Sequence, residues 1–268
     1  VLMICFPNAK INLGLDIVSK RNDGYHNIET VFYPIPLKDA LEIVPSEKTV
    51  FIPSGLSIPG DTKSNSVIKA MEVFSERQKL SPIEIYLLKK IPFGAGLGGG
   101  SSDAAFMLKL LNDYTQARFS DEELEEMAAT IGADCAFFIK NKPVFAEGIG
   151  NILTSVKLSL EGYYLALIHP EIHVSTQEAY AKTKPQQPKQ SIKEIISLPV
   201  AEWKGLLKNN FEESVFMQYP AIGKIKEMLY QKGALYASMT GSGSSVFGIF
   251  DYEPQAFEGY KHNFIFKI

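Results

Sequence analysis

A chain of 268 residues, 46% hydrophobic and 21% charged, can bury a sizeable core in one large domain or two smaller ones. Its net charge of −3, from 27 basic and 30 acidic residues, excludes bulk attraction to nucleic acid or to an anionic membrane. No stretch reaches the ~18 apolar residues of a membrane span, and the apolar run Val1 to Phe6 is too short, and lacks the basic flank, for a secretory signal.

A cytoplasmic protein is expected. Only three arginines (Arg21, Arg77, Arg118) stand against twenty-four lysines, so an anionic ligand must be held mainly by lysine and backbone amides. Cys5 and Cys135 have no metal-ligand spacing and read as two buried free thiols of a reducing compartment.

In chain order, strands are expected at Ile11 to Val18, Val31 to Pro34 and Ala40 to Val44. The stretch SNSVIKAMEVFSER reads as a helix with polar caps at Ser64 to Ser66. Ile83 to Lys89 alternates as a strand, with Ile83, Ile85 and Leu87 on one face. DAAFMLKLLNDY is apolar on nearly every side, the mark of a buried helix. SDEELEEMAATIG carries a capping box at Ser120 and Glu123, a buried stripe of Leu124, Met127, Ala128 and Ile131, and Gly132 as a left-handed stop. A strand at Tyr163 to His169 precedes the surface loop KTKPQQPKQS; a Pro-initiated helix covers Pro220 to Gln231, and two strands bracket TGSGSS at 240 to 245. Helices and strands mix without strict βαβ alternation, which predicts an α+β fold, divided near residue 153 into domains 1–153 and 154–268.

Between the strand and the buried helix lies IPFGAGLGGGSSDAA, with five glycines in seven consecutive positions. Strand, glycine turn and helix start together make an anion site: amides converge with no side chain in the way, and the helix adds unsatisfied N–H groups and the positive end of its dipole. Ser101 and Ser102 are placed to cap that helix and to offer hydroxyls to phosphate or Mg²⁺. The bland alternative, a close-packed turn, needs far fewer glycines. A Walker loop closes with Gly-Lys-Ser/Thr, whereas this one closes with Gly100-Ser101-Ser102-Asp103. Gly94, Gly96 and Gly99 fit G-x-G-x-x-G, but a turn and another helix come next where a dinucleotide fold requires a strand with an acidic end.

Asp134 sits among Cys135, Ala136, Phe137 and Phe138, where an unpaired carboxylate is costly, and Lys10 interrupts an apolar strand entry. The residues by themselves leave open a structural salt bridge, two unrelated charges or a catalytic pair.

PFGAGLGGGSSDAA resembles the phosphate-binding motif of the GHMP small-molecule kinases, which include galactokinase, homoserine kinase and mevalonate kinase. AKINLGLDI, RNDGYHNIETVF, GADCAFF and TGSGSSVFG fall in the order of those members whose substrate is an alcohol carried on a cytidine diphosphate. The resemblance runs from about residue 7 to 250. It implies a two-domain fold with the active site in the interdomain cleft, ATP as phosphoryl donor with Mg²⁺, no assigned metal ligands, a small-molecule partner, no nucleic acid or membrane, and a monomer or weak homodimer.

The resemblance further implies the site. Asp134 would be the general base on the acceptor hydroxyl, and Lys10 would keep that carboxylate ionised, orient it and stabilise developing charge. Pro92, Gly94, Gly96, Gly98, Gly99, Gly100, Ser101, Ser102 and Asp103 would line the nucleotide, with Asn65 and Lys90 near its adenosine end. Asn12 would support the substrate beside Lys10. Tyr25 would stack on cytosine and His26 hydrogen-bond its edge, a division of labour in which only the directed group discriminates bases. Thr176 and Tyr180, in HVSTQEAY, take the places of a family threonine and second aromatic, although the family's flanking prolines are missing. Gly241 and Ser242 would face the substrate diphosphate or the transferring phosphoryl group. Two more departures are Cys135-Ala136 for a Val-Pro pair and Asn151 for a glutamate; His173 reads as an unliganded surface histidine. Alternatives are another GHMP kinase acting on a small alcohol, or a catalytically inert nucleotide-binding regulator on the same fold.

Overall fold

The computed structural model describes residues 3–268, apart from the side chain of Lys63; Val1 and Leu2 of the N-terminal apolar run lie outside the described residues. Strands β1 (Met3–Cys5), β2 (Asn8–Lys20), β3 (His26–Lys38), β4 (Ala40–Pro45) and β5 (Val50–Gly55) come first, then helix α1 (Ser66–Arg77). Strand β6 (Ile83–Lys89) leads through the glycine run to α2 (Gly99–Thr115), α3 (Asp121–Ile131) and the short α4 (Phe137–Lys140). Next are β7 (Val144–Glu147), β8 (Ile152–Ser155) and β9 (Tyr164–His169), followed by α5 (Thr176–Ala181), α6 (Ile192–Ile195), α7 (Phe211–Gln218) and α8 (Pro220–Gln231). Strands β10 (Tyr236–Met239), β11 (Val246–Phe250) and β12 (His262–Lys267) close the chain.

Two compact units result, and neither is continuous in sequence. One comprises the chain up to Lys10 with Leu37–Phe93 and Gly98–Lys142; the other comprises Ile11–Pro36, Gly94–Leu97 and Pro143–Ile268.

The first unit is built on a sheet of order β1-β4-β6-β5, in which β6 runs antiparallel to β4 and parallel to β5. Strand β6 alternates as its sequence demands: Ile83, Ile85, Leu87 and Lys89 are buried, while Tyr86 and Leu88 face out. Helix α1 buries Val67, Ala70 and Phe74, and α2 buries Ala104, Ala105, Met107, Leu108, Leu110 and Leu111. Each such large apolar side chain contributes about 1.5–3 kcal/mol relative to exposure. Helix α3 opens with the expected capping box, in which Ser120 Oγ accepts from Glu123 N–H at 3.3 Å and Ser120 N–H donates to Glu123 at 2.8 Å. Leu124, Met127 and Ala128 are buried as expected, and Ile131 is half-buried.

Gly132 corrects one expectation. Its φ of −176° is extended backbone open to any residue, so the helix ends by running straight into the turn at 133–136 rather than through a left-handed stop. Cys135 is buried and free; Cys5 is also free but only half-buried, because it lies on the short strand β1.

The second unit holds two sheets. In the order β10-β11-β9-β12 all pairs are antiparallel, and the register Met239↔Val246 leaves TGSGSS as the connection between two strand ends. Helix α8 contributes Ile222, Ile225 and Leu229 to the cluster that also takes Ala166, Ile168, Ala237 and Val246. The other sheet has the order β2-β3-β7-β8. Strand β2 enters it after its first residues, Asn8–Lys10, have served the first unit. Among the described residues no helix is long and apolar enough to cross a membrane.

Candidate active site

The glycine run ends in a helix that lacks a side-chain cap. Gly98 is the N-cap in the left-handed region, with φ 68°, and no side chain hydrogen-bonds the first amides of α2. Those amides point outward at the positive end of a 17-residue helix, which suits a phosphate. Ser101 and Ser102 therefore do not cap the helix as expected; they lie inside its first turn, because the chain reaches helical geometry already at Gly99. Ser102 Oγ is fully buried and makes no hydrogen bond.

Absent side chains are a steric necessity here. A Cβ on Gly98 would stand 3.0 Å from the Phe138 ring and 3.2 Å from Lys10 Cε; one on Gly99 would stand 2.9 Å from Ile91 Cγ2. A Cβ on Gly100 would meet Ser66 Oγ at 3.4 Å, so the start of α1 adjoins the start of α2. Asn65, its N-cap, accepts from Val67 N–H at 2.9 Å. Pro92 is buried, and Lys90 is exposed while its backbone N–H is tied to Asp39.

Lys10 and Asp134 meet beside this helix start. The two are separate in sequence, yet Lys10 Nζ lies 3.5 Å from Asp134 Oδ2. Lys10 is the third residue of β2, and its side chain is 5% exposed; Asp134 is held in the turn between α3 and α4, where Cys135, Phe137 and Phe138 anchor the backbone, and its side chain stays 33% exposed. Burial pushes the Lys10 ammonium below the ordinary lysine range, and the charge of Asp134 opposes that shift. The Cys135 thiol hydrogen-bonds Ser101 and is pushed up to about 11, first by burial, which makes it an inert neighbour. A buried cation, a half-open carboxylate and a helix start can serve together on a hydroxyl and a phosphate.

Two charged residues escaped the sequence reading. Asp39 and Lys89 are buried and paired, and Lys89 Nζ also lies 2.6 Å from Asp103 Oδ2. Asp103, expected to line the nucleotide, is thus a buried ion-pair partner within α2. The available signal was the odd acid in LKDAL, a charge between two apolar strands.

In the second unit, Gly94–Leu97 packs on the TGSGSS turn. A Cβ on Gly96 would come within 2.1 Å of the Thr240 carbonyl oxygen. Thr240 Oγ1 donates to Gly96 O at 3.1 Å and accepts from Asn12 N–H at 3.0 Å. The Asn12 side chain donates to Thr30 Oγ1 at 3.0 Å and lies 3.3 Å from Thr240 Oγ1, so it braces this turn. Gly241 is fixed by Asn209, whose side-chain amide donates to Met239 O at 2.8 Å and to Gly241 O at 2.9 Å. Ser242 Oγ is 3.0 Å from Thr176 Oγ1, which joins two expected substrate residues. His173 is exposed, with Nδ1 3.3 Å from where a Gly94 Cβ would stand.

The expected base-binding residues also assemble here. The rings of His26 and Tyr180 stack, with centroids 4.8 Å apart and planes at 19°, and Tyr180 meets Phe211 edge-on. Tyr25 is 62% exposed on the turn that Arg21 and Asp23 brace. Asn151 caps the β7–β8 turn by accepting from Ile149 N–H at 3.2 Å.

The sequence matches the GHMP kinases N terminal domain over residues 65–142 and GHMP kinases C terminal over residues 192–262. The chain belongs to the GHMP kinase family, whose members use ATP as phosphoryl donor. It is 60% identical to the 4-diphosphocytidyl-2-C-methyl-D-erythritol kinase of Parabacteroides distasonis, over 93% of this chain and 92% of that one. It is 60% identical to the protein of the same name from Bacteroides fragilis, over 94% and 93%. Among solved structures it is similar to a 4-(cytidine 5'-diphospho)-2C-methyl-D-erythritol kinase, with 30% identity, TM-score 0.79, and coverage of 92% of this chain and 90% of that one.

Proposed function

We propose that this chain transfers the γ-phosphoryl group of ATP to the 2-hydroxyl of 4-diphosphocytidyl-2-C-methyl-D-erythritol, a step of the non-mevalonate route to isoprenoid precursors. One observation carries the reading: Lys10 Cε lies 3.2 Å from the Cβ position of Gly98, and Lys10 Nζ lies 3.5 Å from Asp134, so an acid–lysine pair stands beside the uncapped start of α2.

In this reading the polyphosphate lies on the amides of the glycine run, from Gly94 to Ser102, and Asn65 and Lys90 flank the adenosine. Asp134 takes the proton of the acceptor hydroxyl as that oxygen bonds to the γ-phosphorus and the bond to the ADP oxygen breaks. Lys10, buried and cationic, orients the carboxylate and stabilises charge on the transferring group. Tyr25, His26, Thr176 and Tyr180 would receive the cytidine, and Gly241 and Ser242 the diphosphate, with Asn12 bracing their turn. A functional division near residue 153 falls between the two family matches. Acting on a small soluble substrate, the protein would work in the cytoplasm as a monomer or weak homodimer.

Among the described residues no three His, Cys, Asp or Glu side chains form a metal cluster. The orphaned Ser102 Oγ and the neighbouring Ser101 hydroxyl are hard oxygen donors of the kind Mg²⁺ takes, and its other ligands would come mainly from the nucleotide phosphates. Bound there, Mg²⁺ would neutralise charge on the β- and γ-phosphates.

The test is ADP release in a coupled assay. Turnover is expected with the cytidyl alcohol and not with mevalonate or homoserine; equal rates on all three would overturn the assignment.

A further inference from the structure

Beneath the glycine run lies a buried group of three charges. Lys89 is the last residue of β6 and Asp103 the fifth of α2, so these two bracket the run. Lys89 Nζ is 2.6 Å from Asp103 and also pairs with Asp39. All three side chains are at most 6% exposed. Asp39 uses its other oxygen on the entry to the run, accepting from Lys90 N–H at 2.5 Å and from Ile91 N–H at 2.9 Å. Lys89 Nζ also lies 3.3 Å from the Cβ position of Gly99, directly against the first helical residue.

A fold that wanted only stability would have little use for this arrangement. Two carboxylates share one ammonium, and Asp103 Oδ1 is buried without a hydrogen bond. Burial raises the Asp103 carboxyl above the ordinary range, Lys89 opposes that, and Asp39 adds to it. Well-packed apolar residues usually do as well in such a place or better. What the charges supply is direction. They tie the end of the strand, the entry to the run and the first turn of the helix to one point.

We propose that Asp39, Lys89 and Asp103 are positioning residues for the nucleotide: they fix the distance between the entry to the glycine run and the first amides of α2, and so set the cradle for the polyphosphate. They act through the backbone and touch no substrate. This rests on the reading that ATP binds at the glycine run.

The experiment compares Asp103→Leu with Asp103→Asn, which keeps an oxygen for Lys89. For Asp103→Leu, KM for ATP should rise about tenfold or more, since misplacing a binding group by ~1 Å can cost up to ~10²-fold. KM for the cytidyl substrate should stay within about twofold and kcat within about threefold, as the acid–lysine pair is untouched. Asp103→Asn should restore near-normal values. Equal damage in both variants would indicate a direct ligand role and overturn the proposal, as would a fall in kcat with both KM values unchanged, or no effect at all. If Asp103→Leu fails to fold, Asp39→Leu against Asp39→Asn supplies the same comparison.

A titration with a non-hydrolysable ATP analogue separates the proposal from the reading beneath it. Ser101→Asp places a carboxylate against the helix amides; it should fold normally and lose the analogue. A wild-type protein that binds no analogue, or Ser101→Asp binding it normally, overturns both. Expected behaviour there, with Asp103→Leu binding like wild type, overturns the positioning role alone.

Discussion

The two glycine-rich turns of this protein look alike as strings and differ as structures. PFGAGLGGGSS, at 92 to 102, runs from a strand into the uncapped start of a 17-residue helix. TGSGSS, at 240 to 245, connects two antiparallel strands and is pinned by Asn209, by Asn12 through Thr240, and by Ser244 and Ser245 against His169. Glycine removes side chains in both. Only the first adds the opening turn of a long helix, with its dipole, to the space so made. A phosphate cradle is therefore defined less by its glycine content than by the helix that begins at the last glycines.

If the first turn is where chemistry happens, the largest effect belongs to its carboxylate. Asp134→Asn is expected to lower kcat by about 10³-fold, within the range for loss of a general base. The chain should still fold, with a lowered melting temperature, because the buried Lys10 ammonium keeps only a neutral amide where its charge partner stood. Rapid-quench kinetics beside a thermal melt checks both halves, and near-normal turnover would remove Asp134 from the mechanism.

Where the turns touch, in the second unit, the effect is on stability. Gly96→Ala combines a positive φ of 78° with a Cβ only 2.1 Å from a carbonyl oxygen that has nowhere to go. A loss of about 4 kcal/mol is expected. Gly24→Ala has a similar φ and nothing within 4 Å, so about 1 kcal/mol is expected there. Urea denaturation of the pair separates crowding from conformational cost. Asn209→Ala comes next, at about 2 kcal/mol, because it removes the donor to Gly241 O, one of two donors to Met239 O, and the acceptor of Phe211 N–H. If the second turn is mainly braced structure, kcat should change little in that variant once it is folded.

The same contrast explains what could be read from the sequence. Strand β6 and helix α8 match their expected bounds residue for residue, since one shows clean alternation and the other starts at a proline. The Ser120 capping box formed because its three-residue spacing is a local fact. Strand β12 went unseen because its residues are all half-buried or exposed, which erases the alternation. The Asp39–Lys89–Asp103 group and the His26–Tyr180 stack were invisible for a different reason. Their partners are far apart in sequence, and only the packing of helices against strands brings them together. The glycine run itself was legible, as strand, turn and helix succeed one another directly. The bracing of the second turn by Asn12 and Asn209 was not.

The smallest expected effect tests how tightly that second turn is braced. His169 is buried, with Nδ1 3.3–3.4 Å from the hydroxyls of Ser244 and Ser245; His262 lies at 6.0 Å, ring to ring, and Glu171 holds His262 and Lys261. Burial first, then the neighbouring His262, lowers the His169 pKa from 6.5 to about 4, with Glu171 opposing. The folded protein therefore keeps His169 neutral where the unfolded chain would protonate it. Between pH 6.5 and about 4 the unfolded state binds more protons, so stability falls as pH falls through that window. Above it the contribution is complete, and below it nothing further is lost from this group. Melting temperatures measured across the window should slope accordingly in wild type and flatten in His169→Asn. An unchanged slope in that variant would mean that the second turn is held without regard to the charge of its histidine.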